Sequence, residues 1–138
     1  MENLARMSLS IGKPLLSRLE AAVRASGYTN RSEFVRDLVR DHLTKREWAR
    51  NEDVLGTITL VYNHHFRQLS RKLTALQHDF HECVMATTHV HLNEHICAEV
   101  ILARGKARTI ERIADLLRQQ KGVLHAALSM SSTGKRLA

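Results

Sequence analysis

The stretch that most restricts the fold is six residues long. Residues 6–11 read Arg-Met-Ser-Leu-Ser-Ile and alternate strictly, with Met7, Leu9 and Ile11 on one face and Arg6, Ser8 and Ser10 on the other. This is one short strand, closed by Gly12-Lys13-Pro14, and no second strand lies near it in the sequence. A lone strand leaves a row of backbone N–H and C=O groups without partners. The same strand of another copy of the chain is the natural one to pair with.

Two helices follow. Pro14 fits a first helical turn, Leu15, Leu16, Leu19, Ala22 and Val23 repeat at helical spacing, and Gly27 ends the run. Asn30 with Glu33 has the form of an N-cap and its box partner. Phe34, Val35, Leu38, Val39, His42 and Leu43 then line one face of a second helix. Residues 44–53 are polar and of mixed charge and break the periodicity, which reads as the end of that helix running into a linker. Strand-helix-helix over residues 6–46 therefore defines a first domain, 1–50. A domain of about fifty residues is marginal alone, a second reason to expect a partner chain.

Residues 51–138 read differently. Residues 54–62 are β-rich, and 66–80 form a helix with Phe66, Leu69, Leu73, Leu76 and Phe80 on one side. Strands over 83–92 and 95–102 follow, the second stopped by Gly105. A helix over 109–120 turns Ile110, Ile113, Ala114 and Leu117 inward, and Gly122 leads into a last strand, 123–130. The order β-α-β-β-α-β is the ferredoxin-like arrangement, so the fold class is α+β. The polar tail from residue 131 is expected to fray.

Residues 78–97 hold five of the nine histidines and both cysteines. On a strand, His89 and His91 share a face with Cα atoms roughly 7 Å apart, and Asn93-Glu94 turns the chain so that Cys97 returns near them. Imidazole and thiolate suit nickel, copper, zinc or cobalt rather than magnesium or calcium. His95, two residues from Cys97, would share its face if both were on the strand. Cys83 has the parity of His89 but lies about 20 Å away along an extended strand, and reads as a small packed residue.

Composition agrees with this reading. The charge of +7 and pI near 10.0 point to a polyanionic partner. No apolar run approaches transmembrane length and the start, Met-Glu-Asn, is polar, so neither a membrane span nor a signal peptide is expected. Two cysteines, one in a ligand-like setting, fit a reducing cytoplasm better than a disulfide framework.

Gln77-His78, Thr-His89-Val-His91-Leu-Asn93 and Cys97-Ala-Glu99 resemble the metal-binding core of the nickel-responsive transcriptional regulators, the NikR family. Strand-helix-helix with Gly27-Tyr28-x-Asn30-Arg31-Ser32-Glu33 between the helices resembles the ribbon-helix-helix repressors. The likeness spans about residues 5–130. It implies a swapped ribbon-helix-helix dimer, an ACT-like ferredoxin-fold domain that tetramerises, and a cytoplasmic repressor without catalytic activity. It further implies one Ni(II) per subunit, held square-planar by His89, His91 and Cys97 of one chain and His78 of a neighbour. Tyr62, His64 and Glu99 match positions surrounding the metal, and Glu33 and Asp37 match a second cation site between the domains.

The resemblance also implies double-stranded operator DNA as partner. A two-stranded ribbon fits the major groove, with Arg6, Ser8 and Ser10 facing the base edges. Asn30, Arg31 and Ser32 at a helix N-terminus suit a phosphate. Other classes stay open from the residues themselves. One is a ribbon-helix-helix regulator or antitoxin whose C-terminal domain senses another metal, a small molecule or a protein. A metalloenzyme would keep a coordination position open for water or substrate, and no separate base or nucleophile constellation is visible.

Overall fold

The computed structural model describes residues 3–138; Met1 and Glu2, part of the polar start, lie outside the described residues. The chain divides into two compact units, the first ending at Arg40 and the second starting at Asp41, where the sequence reading divided it at 50/51.

In the first unit, α1 spans Lys13–Ala25 and α2 starts at Arg31 and runs to Ala49. Pro14 sits in the first turn of α1, as its fixed φ favours. Gly27 follows the helix with φ +74, the left-handed turn expected of a C-terminal glycine. The Asn30 side-chain oxygen accepts a hydrogen bond from the Glu33 N–H at 2.9 Å, so the expected N-cap forms. Residues 3–12 form no regular element in the single chain. Met7 and Leu9 of the alternating segment are 79% and 69% exposed, and Leu38 and Val39 of α2 are exposed too. These apolar rows are left open to solvent among the described residues.

The expected linker over 44–53 is corrected: α2 continues to Ala49. Its end is a left-handed C-cap. Asn51 takes φ +55, its N–H donates to the Trp48 carbonyl at 3.1 Å, and the Glu52 N–H donates to the Glu47 carbonyl at 3.0 Å. The polar composition of this stretch hides the reason for its order. Trp48 is buried, and its Nε1–H donates to the Ser131 carbonyl at 2.8 Å.

The rest of the second unit is β1 (Asp53–Asn63), α3 (Leu69–Asp79), β2 (Val84–His91), β3 (Ile96–Lys106), α4 (Ala107–Arg118) and β4 (Val123–Ser131). The four strands form one antiparallel sheet in the order β2-β3-β1-β4, the ferredoxin-like topology expected from the element order. Strand β1 buries Val54, Gly56, Ile58, Leu60 and Tyr62 in alternation. Against that face pack Leu69 and Leu73 of α3 and Ile113, Ala114 and Leu117 of α4, with Ile110 in a neighbouring cluster around Trp48. Gly56 is required there, because a Cβ would lie 2.9 Å from Ile110 and 3.1 Å from the Trp48 ring.

Three boundaries move. Helix α3 starts at Leu69 rather than Phe66, because Gln68 is left-handed at φ +64 and Phe66 lies in the preceding turn. There the Phe66 ring sits against Gly122, where a Cβ would approach it to 2.7 Å. Strand β3 runs past Gly105 to Lys106 because Asp53 and Val54 supply partners for Lys106 and Gly105. Helix α4 follows at once, two residues earlier than its pattern indicated. The tail from residue 132 is not wholly loose, since the Arg136 guanidinium reaches the Glu52 carboxylate at 3.4 Å.

Candidate metal centre

The register of the sheet gathers the histidines and the cysteine. In β3, Cys97 stands between Tyr62 of β1 and His91 of β2, and Glu99 stands opposite His89. Directly opposed residues of an antiparallel pair share a face, so Tyr62, His89, His91, Cys97 and Glu99 all lie on the helix side of the sheet. Cys97 is fully buried, and its Sγ is 3.2 Å from His91 Nδ1. The sulfur sits on the inner strand and the imidazoles on the exposed edge strand, a closed floor with an open rim.

His64 joins this group from the turn after β1. One ligand atom each of His64, His91 and Cys97 lie within 4.8 Å of one another. The resemblance implies a place for His64 around the metal ligands, and in the single chain its ring nitrogen lies as near as theirs to a shared point with His91 and Cys97. Its N–H donates to the His95 carbonyl at 3.0 Å, and its Nε2 hydrogen-bonds the Glu94 carbonyl. His65 reaches the same carbonyl at 3.0 Å.

His89 is adjacent but outside the group, its ring centroid 5.0 Å from that of His91 and 6.3 Å from that of Tyr62. His78, at the exposed C-terminal end of α3, stacks on His81 with centroids 5.9 Å apart and does not join the group either. His95 is corrected. It lies in the β2–β3 turn, not on the strand, and its ring faces His65 at 5.1 Å rather than Cys97. The Asn93 side chain explains this, because its oxygen accepts from the N–H groups of both His95 and Ile96 and holds the turn. Cys83 packs its sulfur against Gly105, where a Cβ would approach it to 2.9 Å.

The Glu99 carboxylate accepts a hydrogen bond from Gln77 Nε2 at 3.2 Å, and the Gln77 oxygen accepts from the Thr87 hydroxyl at 2.8 Å. Gln77 thus ties the end of α3 to two strands beside His78 and His89. In the sequence Gln77 is only one member of a motif, and a lone glutamine carries no sign of this bridging role.

Burial first, and then the nearby Glu99 and Cys97, push the Tyr62 phenol up to about 12 from 10.0. A raised folded-state value means that the fold favours the neutral phenol. Its contribution to stability is complete below pH 10 and is lost as pH rises through about 12. In metal-free protein, a tyrosinate absorbance step near pH 12 is therefore expected, and Tyr62→Phe should remove that step. A Tyr62→Phe titration identical to the parent's would contradict the buried placement.

The other expected residues occupy the first unit. Arg6, Ser8 and Ser10 are exposed on their uncovered segment, and Arg31 and Ser32 are exposed at the start of α2. The Arg31 guanidinium lies 3.5 Å from the Glu20 carboxylate. Glu33 and Asp37 face Arg36 at 3.9 Å and Arg40 at 3.1 Å. The Tyr28 hydroxyl donates to Asp37 and, as the main cause, lowers its pKa below 3.8, with Arg40 and Arg36 acting in the same direction. No helix among the described residues is long and apolar enough to cross a membrane.

A cysteine sulfur beside imidazole nitrogens on one face of this sheet is a donor set of the kind that holds a soft or borderline metal ion. Comparison with known proteins narrows the class. Residues 55–131 match the NikR C-terminal nickel-binding domain, and residues 5–46 match the ribbon-helix-helix proteins of the copG family. Curated relatives with the provisional name nickel-responsive regulator include proteins from Solibacter usitatus, Pyrococcus abyssi and Geobacter sulfurreducens. The Solibacter protein is 44% identical over 99% of both chains. The Pyrococcus protein is 47% identical over 98% of this chain and 99% of its own, and the Geobacter protein 47% over 96% of both. An uncharacterized Thermotoga maritima protein of known structure shares the fold, with a TM-score of 0.51 and 19% identity over 56% of this chain and 96% of its own. The chain belongs to the nickel-responsive regulator family: it is a transcriptional regulator with a ribbon-helix-helix segment and a nickel-binding-type C-terminal domain.

Proposed function

We propose that the protein is a nickel-dependent repressor that binds operator DNA when Ni(II) occupies a site shared between subunits. His89, His91 and Cys97 of one chain and His78 of a neighbour would hold one ion per subunit. The observation that carries this reading is the 3.2 Å approach of Cys97 Sγ to His91 Nδ1, with His89 next on the same face. Three nitrogens and a thiolate are a donor set for which square-planar Ni(II) competes well against tetrahedral zinc. The bound ion supplies a bridge between chains, which favours one assembly over others by mass action. Tyr62, His64 and Glu99 surround the set, and Glu99 with Gln77 positions the end of α3.

Two uncovered surfaces support an oligomer. The face of the sheet away from α3 and α4 carries Val61, Val90, Ala98, Val100 and Leu102, all half-buried or exposed in the single chain. Apolar residues there suit packing against other copies in a homotetramer. The exposed Met7, Leu9, Leu38 and Val39 suit a two-chain ribbon-helix-helix dimer. Residues 1–50 would then be the DNA-binding domain, working in the cytoplasm, and 51–138 the metal-binding and tetramerising one. A second cation at Glu33 and Asp37 would have to displace Arg36 and Arg40, which is a cost that the first site does not carry.

The test is selection of duplexes from a randomised pool with and without Ni(II). A half-site pattern enriched only with nickel is expected. Arg6→Ala should then weaken binding to the selected duplex by roughly 1–3 kcal/mol and relax one position per half-site, because a bidentate guanidinium contact is lost. Selection independent of nickel would favour a metal-independent regulator, and unchanged binding by Arg6→Ala would remove the ribbon from the groove. Asn30, Arg31, Ser32, Ser8 and Ser10 complete the proposed contact surface.

A further inference from the structure

We infer that His64, His91 and Cys97 of a single chain form a three-ligand site of their own, which takes a four-coordinate ion such as zinc or cobalt(II) with water as the fourth ligand. The inference deepens the reading above and rests on it only in sharing His91 and Cys97.

The geometry comes first. A tetrahedral ion with metal–sulfur and metal–nitrogen bonds near 2.3 and 2.0 Å sets its sulfur and nitrogen about 3.5 Å apart. Cys97 Sγ and His91 Nδ1 already stand at 3.2 Å, and the His64 ligand atom lies within 4.8 Å of both. No other set of three such side chains among the described residues comes so close. His89 does not join the three, although it shares their face.

The ring of His64 is also prepared for a metal. The Glu94 carbonyl can only accept, so His64 Nε2 must carry the proton that it shares with that oxygen. A histidine anchored through one ring nitrogen is the usual form of a metal ligand. Its backbone N–H is fixed to the His95 carbonyl as well. Cys97 is buried, His64 half-buried and His91 exposed, so the three leave an approach from solvent for the ion and its water.

Two donor sets therefore compete for His91 and Cys97. The set that crosses to a neighbour adds His89 and His78, whereas the set within one chain adds His64. An ion that prefers tetrahedral ligands is satisfied without His78. It occupies the chain without bridging subunits, which separates zinc from nickel by ligand choice rather than by affinity.

The test is titration of metal-free, reduced full-length protein with cobalt(II), alone and then in competition with zinc(II). The readout is the intense visible ligand-field absorption of four-coordinate, thiolate-bound cobalt. His78→Ala and His89→Ala should keep that spectrum and bind within a few-fold of the parent. His64→Ala, with His64→Gln as a second variant that retains a polar side chain, should lose the spectrum or bind at least tenfold more weakly. Circular dichroism will establish that each variant is folded. If both folded His64 variants retain the parental spectrum, or if His89→Ala abolishes it, the inference is overturned while the nickel reading stands. If Cys97→Ala also retains the spectrum, both fail. A spectrum lost in both folded His64 variants but kept in His78→Ala and His89→Ala supports the inference.

Discussion

Trp48→Ala is expected to destabilise the C-terminal domain by roughly 3–5 kcal/mol, the usual cost of deleting a buried aromatic side chain. Trp48 is only 5% exposed and lies against Val54, Ala103, Ala107 and Ile110 in a cluster of its own. Its ring lies over Gly56, where a Cβ would approach it to 3.1 Å, so its removal opens a cavity beside a residue that has no side chain to fill it. The substitution also leaves the Ser131 carbonyl without its indole donor, which adds a term of about 1 kcal/mol if water does not reach it. Urea unfolding of the metal-free protein will measure the effect. Circular dichroism is the probe, because the variant removes the single tryptophan of the chain. A loss below about 1 kcal/mol would mean that the end of α2 does not form part of this core.

That tryptophan marks where the sequence stopped being legible. Residues 44–53 look like a linker because Lys45, Arg46, Glu47, Arg50, Asn51 and Glu52 are polar. One aromatic residue among them has no helical period, so nothing local indicates that it is an anchor. Two of the anchor's partners, Ile110 and the Ser131 carbonyl, are distant in sequence, and the third, Gly56, has no side chain to signal the contact. By contrast, α4 was legible because Ile110, Ile113, Ala114 and Leu117 repeat at helical spacing, and all are buried. Strand β1 was legible for the same reason at period two.

The candidate site divides along the same line. The shared face of His89 and His91 followed from strand parity, and the return of Cys97 followed from the Asn93-Glu94 turn. The place of His64 depended on which carbonyl caught its ring. That carbonyl belongs to Glu94, thirty positions away, where no pattern in the sequence reaches. His95 was misplaced for a related reason. Its parity with Cys97 holds only if the strand starts before it, and the Asn93 side chain keeps it in the turn. The strand expected over residues 6–11 is not formed in one chain, where no other described strand pairs with it.

A mixing experiment tests whether a second copy completes the proposed nickel site. His78→Ala and Cys97→Ala, each alone, are expected to show none of the absorption of thiolate-bound, square-planar nickel. In the proposed arrangement the first lacks the histidine given to the neighbour, and the second lacks the sulfur ligand. Co-refolded together, they should recover up to half of the sites at each mixed interface. There the intact His89, His91 and Cys97 of one chain meet the intact His78 of the other, while the reciprocal site lacks both His78 and Cys97. The basis is the position of His78 on the exposed end of α3, outside the group that its own chain assembles. Recovery should scale with the fraction of mixed interfaces, and it should fall away when either variant is in large excess. Linkage adds a second readout, because operator DNA that binds the nickel form more tightly must tighten nickel binding in the mixture by the same factor. A mixture as free of that absorption as its two components would put His78 at work within its own chain and remove the subunit bridge from the mechanism.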